Sequence, residues 1–229
     1  MIIAISDIHG QMDKLLSLAS RLSEHGYAFD NQEHTFVFLG DYVDGGPDTK
    51  KVIHYLRFLD ASLPNVVCLK GNHEDMLLDA VRGEGRYQNG LIRWWHQGGA
   101  ATAWSYKQPW SYVDVMIEGE RVFGSDLNWM ASLPISYDTR KFYFVHAGVY
   151  PGPFDLTSHF DKMWLRSKFY DSDYKWEKYV VAGHTYQPVP LIKDNLMVID
   201  TMHHGHGVIT SAVLNDDTGE IVEIITSDD

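Results

Sequence analysis

Thr35-Phe36-Val37-Phe38-Leu39-Gly40-Asp41-Tyr42-Val43-Asp44 is an apolar, aromatic and β-branched run that stops abruptly at a glycine and two carboxylates. A strand buried on both faces reads this way, and its polar end marks where it surfaces. The pattern recurs along the chain. Met1 to Ser6 leads into Asp7-Ile8-His9, Asn65 to Lys70 into Gly71-Asn72-His73-Glu74, Lys141 to Val145 into His146-Ala147-Gly148, and Tyr179 to Ala182 into Gly183-His184-Thr185. Helical patterns separate the first three runs. Met12, Leu15, Leu16, Ala19 and Leu22 mark one face of a helix ending near Gly26, Val52, Ile53, Leu56 and Leu59 line a second, and residues 74–81 form a third. This βαβαβ opening predicts parallel strands, right-handed crossovers and an α/β fold.

The rhythm breaks over residues 83–132, where Trp94, Trp95, Trp104, Trp110 and Trp129 sit among Gly98-Gly99 and Pro109. Short helices forming a cap beside the sheet, suited to substrate selection, are expected there. Strands return at 141–146, 178–183, 196–200, 207–214 and 220–226, and Asp216-Asp217-Thr218-Gly219 predicts a hairpin between the last two. With no linker or repeat, residues 1–229 read as one domain.

A formal net charge of −12 argues against broad nucleic-acid or anionic-membrane binding, since no Lys/Arg cluster supplies the necessary field. The single cysteine, Cys68, lies inside an apolar run and reads as a core residue in a reducing compartment. No apolar stretch approaches the roughly 20 residues of a membrane span, and Met1-Ile2-Ile3-Ala4-Ile5 lacks the features of a secretion signal, so a cytoplasmic protein is expected. The sequence does not set an oligomeric state.

Ligands of open α/β sheets gather beyond the carboxyl ends of the strands. Here those ends present Asp, His and Asn, all oxygen or imidazole donors without thiolate, which suits more than one hard to borderline divalent cation. In an extended segment Asp7 and His9 project to the same side and can grip one cation. Asp41, after Gly40, is the candidate for a shared ligand because a carboxylate has two oxygens. Asn72 offers a neutral oxygen, while the adjacent His73, pointing elsewhere in extended geometry, suits proton transfer. His146 and His184 each end an apolar strand.

In order and spacing, Asp7-x-His9, Gly40-Asp41-Tyr42-Val43-Asp44-x-Gly46-Pro47, Gly71-Asn72-His73-Glu74, His146-Ala147-Gly148 and Gly183-His184-Thr185 resemble the signature of the phosphoprotein phosphatase family of calcineurin-like metallophosphoesterases. The likeness is strongest to the small bacterial and bacteriophage serine/threonine phosphatases, typified by the phage lambda enzyme, and extends to Trp164-Leu165-Arg166, Gly98-Gly99 and Ile199-Asp200-Thr201. The resemblance implies a central β-sandwich flanked by helices with a dinuclear metal site at its edge. It implies that Asp7 and His9 hold the first metal, that Asp41 bridges, and that Asn72, His146 and His184 hold the second. Mn²⁺ is the expected ion, with Fe, Zn, Co or Ni as alternatives. His73, oriented by Asp44, would protonate the leaving oxygen, and Arg166 and Asn72 would bind the substrate phosphate.

Two departures stand out. Gly45 occupies the place where the family usually carries an arginine that clamps the phosphate, and Arg82, Arg86 or Arg93 from the cap are candidate replacements. Met202-His203-His204-Gly205-His206 replaces the family's small residues, and reads as a surface loop in preference to a contact with metal or substrate. The leading expectation is a phosphomonoesterase acting on phosphoserine or phosphothreonine in proteins, with small phosphoesters also accepted. One alternative is hydrolysis of dinucleoside polyphosphates or phosphodiesters, with Trp94, Trp104 and Tyr106 available to stack on a base. Another is a weakly active metal-binding interaction module, against which the retention of His73 and Asp44 argues.

Overall fold

The computed structural model describes residues 1–83, 85–203 and 206–228. In chain order, β1 (Ile2–Ile5), α1 (Met12–Glu24), β2 (Thr35–Phe38), α2 (Thr49–Ser62), β3 (Val66–Cys68) and α3 (Asn72–Arg82) build the expected βαβαβ opening. The cap follows as α4 (Gly90–Trp94), a wide turn over Trp95–Gly99, α5 (Ala100–Tyr106), α6 (Tyr112–Phe123) and α7 (Ser125–Ser132). Then come β4 (Ser136–Asp138), β5 (Phe142–Val145), α8 (His159–Trp164), α9 (Ser167–Tyr170), β6 (Tyr179–Ala182), β7 (Leu191–Ile192), β8 (Leu196–Val198), β9 (Met202–His203), β10 (His206–Gly207), β11 (Thr210–Leu214) and β12 (Ile221–Thr226). Among the described residues no helix is long and apolar enough to cross a membrane.

Two mixed sheets result, ordered β12-β11-β1-β2-β3 and β4-β5-β6-β8-β7. Strands β1, β2 and β3 are mutually parallel, as are β5, β6 and β8, while the outer strands run antiparallel. Period-two alternation divides each central strand between two cores. Ile2, Ala4, Val37 and Leu39 pack against Phe142, Phe144, Val181 and Met197 between the sheets. Ile3, Ile5, Phe36 and Phe38 point the other way, onto Leu15, Leu18, Leu22 and Val52 of the helices, and this core continues into the cap through Trp94, Val115 and Phe123. Tyr143, Val145, Val180 and Ala182 face Leu165 and Phe169 on the far side of the second sheet. Both faces of each sheet are therefore covered, which is why the strands read as continuous apolar runs.

The helix phase differs from expectation at α1. Leu15, Leu18 and Leu22 are buried, whereas Leu16 is 46% exposed, because a residue one position from Leu15 is rotated by about 100° away from the packed stripe. β4 and β7 carry no apolar run of their own. They are held as short edge strands by antiparallel pairing to β5 and β8. Of the run 202–206, expected to be a surface loop, Met202–His203 and His206 belong to the β9–β10 pair, in which His206 lies opposite His203 and Gly207 opposite Met202; His204 and Gly205 fall outside the described residues.

Candidate metal centre and active site

The parallel strands β1, β2, β3, β5 and β6 each end shortly before a candidate ligand, so the fold concentrates them at one edge. The backbone must turn sharply there. His9, Asp41, Asp44 and His184 all adopt left-handed φ, at 47°, 54°, 71° and 63°. Side-chain-bearing residues rarely tolerate this region, and such strain persists where surrounding structure holds it. At His9 it corrects the extended geometry expected for Asp7-Ile8-His9. The chain curls after β1, and the two residues face different neighbours.

Asp41 is central. Its Oδ2 lies 3.9 Å from both His9 Nε2 and His73 Nε2, and its Oδ1 lies 3.4 Å from His146 Nε2 while accepting the His73 backbone N–H at 3.0 Å. Donor atoms of His9, Asp41 and His73 lie within 4.8 Å of one another, and so do those of Asp41, His146 and His184. Asn72 joins the second group by its Oδ1, 2.9 Å from His146 Nε2. Asp7 lies outside both groups. Its two oxygens accept the His184 backbone N–H at 3.1 and 3.2 Å. Asn72 and His73 are not extended as expected but open α3, where helical rotation sends their side chains apart.

Hydrogen bonds fix the imidazole orientations. His9 Nδ1 donates to the Val43 carbonyl at 3.0 Å and His146 Nδ1 to the Leu39 carbonyl at 2.8 Å, leaving each Nε2 turned toward Asp41. His184 Nε2 is buried with no hydrogen-bond partner. Burial, followed by the charge of His146, holds His184 well below the usual histidine range, so it is neutral with a free lone pair. An orphaned imidazole nitrogen grouped with the Asp41 carboxylate and His146 is a donor set that fits a divalent cation. Burial alone would raise Asp41, yet His146 and His73 outweigh it and hold the carboxyl well below its ordinary range. Burial likewise opposes a charge on His146, but Asp41 raises it to about 10. The field that retains this proton equally favours a metal ion, which competes with protons for the same ligands.

His73 Nδ1 lies 2.8 Å from Asp44 Oδ2. Burial disfavours its charged form, but Asp41 and the hydrogen bond to Asp44 prevail and raise it to about 9. A cavity of about 200 Å³ opens over these groups, with Arg166 and Trp164 on one wall and Tyr186 and His203 at the rim. Tyr186 is 44% exposed and its ring meets that of His203 at 4.9 Å. Neither Trp94, Trp104 nor Tyr106, available as base platforms under the dinucleotide alternative, lines this cavity: Trp94 is fully buried, Tyr106 is bound to Asp126, and Trp104 borders a separate groove with Pro109 and Trp110. Among the cap arginines, Arg82 pairs with Glu120 and Arg86 with Asp75, while Arg93 lies 5.2 Å over the Trp164 ring.

Glu74, Asp200 and Thr102 carried no expected role at this site, and Trp94 only that of a candidate base platform. Glu74 is fully buried and its carboxylate accepts the backbone N–H groups of Gly71 and Asp41 through Oε2 and of Tyr42 and Val43 through Oε1. It thereby shapes the Asp41 turn. Its signal was a charged residue closing an otherwise ligand-bearing cluster. Asp200, raised to about 7 by burial, also lines the cavity, and accepts the Met202 N–H at 2.8 Å.

The family model for the calcineurin-like phosphoesterases matches residues 1–212. The chain belongs to that family, whose members are hydrolases that use divalent metal ions. It is 35% identical over 101 residues to the serine/threonine-protein phosphatase SIT4 of Candida albicans, covering 44% of this chain and 30% of that protein. It is 27% identical over 149 residues to the symmetrical bis(5'-nucleosyl)-tetraphosphatase of Hamiltonella defensa, covering 64% of this chain and 44% of that one. The chain thus spans less than half the length of these relatives. In fold it is similar to the crystal structure of a putative diadenosine tetraphosphatase, with a TM-score of 0.66 at 19% identity, over 98% of this chain and 92% of the other.

Proposed function

We propose that the chain is a metal-dependent phosphomonoesterase acting on phosphoserine and phosphothreonine in proteins, organised as one domain over residues 1–229 with a cap at about 83–132. The observation that carries this reading is the His73–Asp44 pair at 2.8 Å beside the Asp41 cluster, since a scaffold has no use for a proton donor and its orienter. Asp7 and His9 would hold the first metal, Asp41 would bridge, and Asn72, His146 and His184 would hold the second, with Mn²⁺ the preferred ion. When bound, the two cations supply a nucleophilic hydroxide at neutral pH and neutralise phosphoryl oxygens. Arg166 and Asn72 bind and orient the phosphate from the cavity wall. His73 gives its Nε2 proton to the leaving oxygen, and Asp44 retains the Nδ1 proton, fixing the tautomer. The net charge supports an enzyme that does not bind nucleic acid, and a free, buried Cys68 supports a reducing, cytoplasmic setting.

A second reading, cleavage of dinucleoside polyphosphates, is favoured by the half-exposed Tyr186 ring tilted against His203 at the rim, an aromatic surface for a planar base, and by Arg93 on the indole that walls the cavity. Initial rates with a phosphopeptide panel, a dinucleoside polyphosphate and an aryl phosphate, on one metal-loaded preparation, separate the two. The highest kcat/KM on phosphopeptides supports the first reading, and the highest on the dinucleotide replaces it with the second.

A further inference from the structure

We infer that the cap segment 94–102 positions the proton donor: Trp94 and Thr102 lock the Asp44 carboxylate so that its Oδ2 faces His73. The inference rests on the proposed role of His73. Asp44 is fully buried on a left-handed turn, φ 71°, and its own strand edge does not fix the carboxylate. The cap does. Trp94 Nε1 donates to Asp44 Oδ1 at 3.0 Å, and Thr102 Oγ1 donates to the same oxygen at 2.8 Å. That hydroxyl also accepts the Asp44 backbone N–H at 2.8 Å, so one side chain holds both the main chain and the carboxylate of a single residue. With Oδ1 saturated, Oδ2 is left to His73 Nδ1. An indole N–H on a buried carboxylate is a charge-assisted hydrogen bond, which apolar filling of the cap would not require.

The intervening chain is shaped for this delivery. Between α4 and α5 the helix path breaks at Gln97 and Gly98. A Cβ at Gly99 would sit 2.4 Å from the Trp94 ring, so any larger residue would displace the indole. Gly98 has φ 104°, its added Cβ would come within 2.7 Å of the Gly45 nitrogen, and its carbonyl accepts the Gly45 N–H at 3.2 Å. The two glycines let the cap touch the Asp44-Gly45 turn backbone to backbone while Trp94 reaches the carboxylate beneath.

A proton donor contributes most where the leaving oxygen is a poor leaving group. The test therefore compares kcat on an alkyl phosphate such as a phosphoserine peptide with kcat on 4-nitrophenyl phosphate, together with metal content and melting temperature. His73→Asn is expected to lose roughly 10²–10⁴-fold on the alkyl substrate and far less on the nitrophenyl one. Trp94→Phe and Thr102→Val are expected to lose about tenfold on the former and under about threefold on the latter, as a partial loss of the same contribution. Adding Trp94→Phe to His73→Asn should cost nothing more on the alkyl substrate. Phe123→Leu loosens the same aromatic cluster, 6.5 Å from Trp94 between ring centroids, without removing a bond to Asp44, and should move both substrates alike. Equal losses on both substrates for Trp94→Phe and Thr102→Val, full additivity with His73→Asn, or a leaving-group effect reproduced by Phe123→Leu would each overturn the inference. If His73→Asn itself shows no leaving-group dependence, the donor role falls and the inference with it. If Trp94→Phe does not fold, Thr102→Val carries the same comparison.

Discussion

His9 and His73 meet edge to face, ring centroids 4.9 Å apart and planes at 85°, with both Nε2 atoms 3.9 Å from the same oxygen of Asp41. The two imidazoles are nevertheless driven in opposite directions. Burial, then the neighbouring His73 charge, lowers His9 to about 4, whereas Asp41 and Asp44 overcome burial and raise His73 to about 9. One is a neutral donor of a lone pair and the other a donor of a proton. Asp44, bonded to His73 and not to His9, makes the difference.

The pH dependence follows from that split. His73 is protonated below about 9, so turnover of substrates with poor leaving groups should persist through neutral pH and fall as pH rises through about 9. Asp44→Asn removes the smaller of the two carboxylate charges that raise it, leaving Asp41 in place, and should move this alkaline limb downward. A pH–kcat profile on a phosphoserine peptide measures it; an unmoved limb in Asp44→Asn would exclude the dyad. His73→Asn should keep its metal content, and loss of metal instead would make His73 a ligand.

Chelation should abolish turnover and lower the melting temperature, because Asp41 loses a counter-charge and the unpartnered His184 Nε2 loses the acceptor of its lone pair. Re-addition of Mn²⁺ at about a hundred times its dissociation constant should restore roughly 2.7 kcal/mol. Calorimetry of the stripped protein checks both, and full activity after exhaustive chelation would end the metal reading.

Glu74→Gln should cost about 2–4 kcal/mol and weaken metal affinity. The amide nitrogen would face two backbone N–H donors that now share one carboxylate oxygen. Denaturant melts and metal titration report the two effects, and a wild-type midpoint would show that the Asp41 turn does not depend on this carboxylate.

Gly45→Arg tests the missing clamp. Gly45 sits at φ 84° and donates to the Gly98 carbonyl, so any side chain there incurs roughly 1–2 kcal/mol of left-handed strain. The guanidinium should still lower the KM of small monoesters, and Arg166→Ala should then be less damaging than in the natural chain. Gly45→Ala serves as the strain control, and a double-mutant cycle reads the coupling. Weaker binding of every monoester by Gly45→Arg, relative to Gly45→Ala, would favour the larger dinucleotide substrates.

The strand ends were legible because both faces of the central strands are buried, and continuous apolar runs make the first polar residue conspicuous. The identities of Asp41, Asn72, His146 and His184 therefore emerged together with the sheet. What stayed hidden depends on contacts distant in the chain. Trp94 and Thr102 lie 50 and 58 positions from Asp44, and nothing in a tryptophan-rich cap distinguishes the indole that bonds a carboxylate from those that fill volume. The role of Glu74 is invisible in the motif, since its work is done on backbone groups that every residue has.

The hydrogen bonds from His146 to the Leu39 carbonyl and from the His184 backbone to Asp7 each run from the second sheet to the first. The centre is thus a seam between two halves of the molecule rather than a fitting on one of them. Its donor spacing is a gauge of how the sheets slide over the apolar layer that holds Val37 against Phe144 and Val181. A change in that layer, well away from any ligand, would be felt as misalignment at the seam, so tightness of the sandwich and fidelity of the chemistry are properties that evolution must tune together.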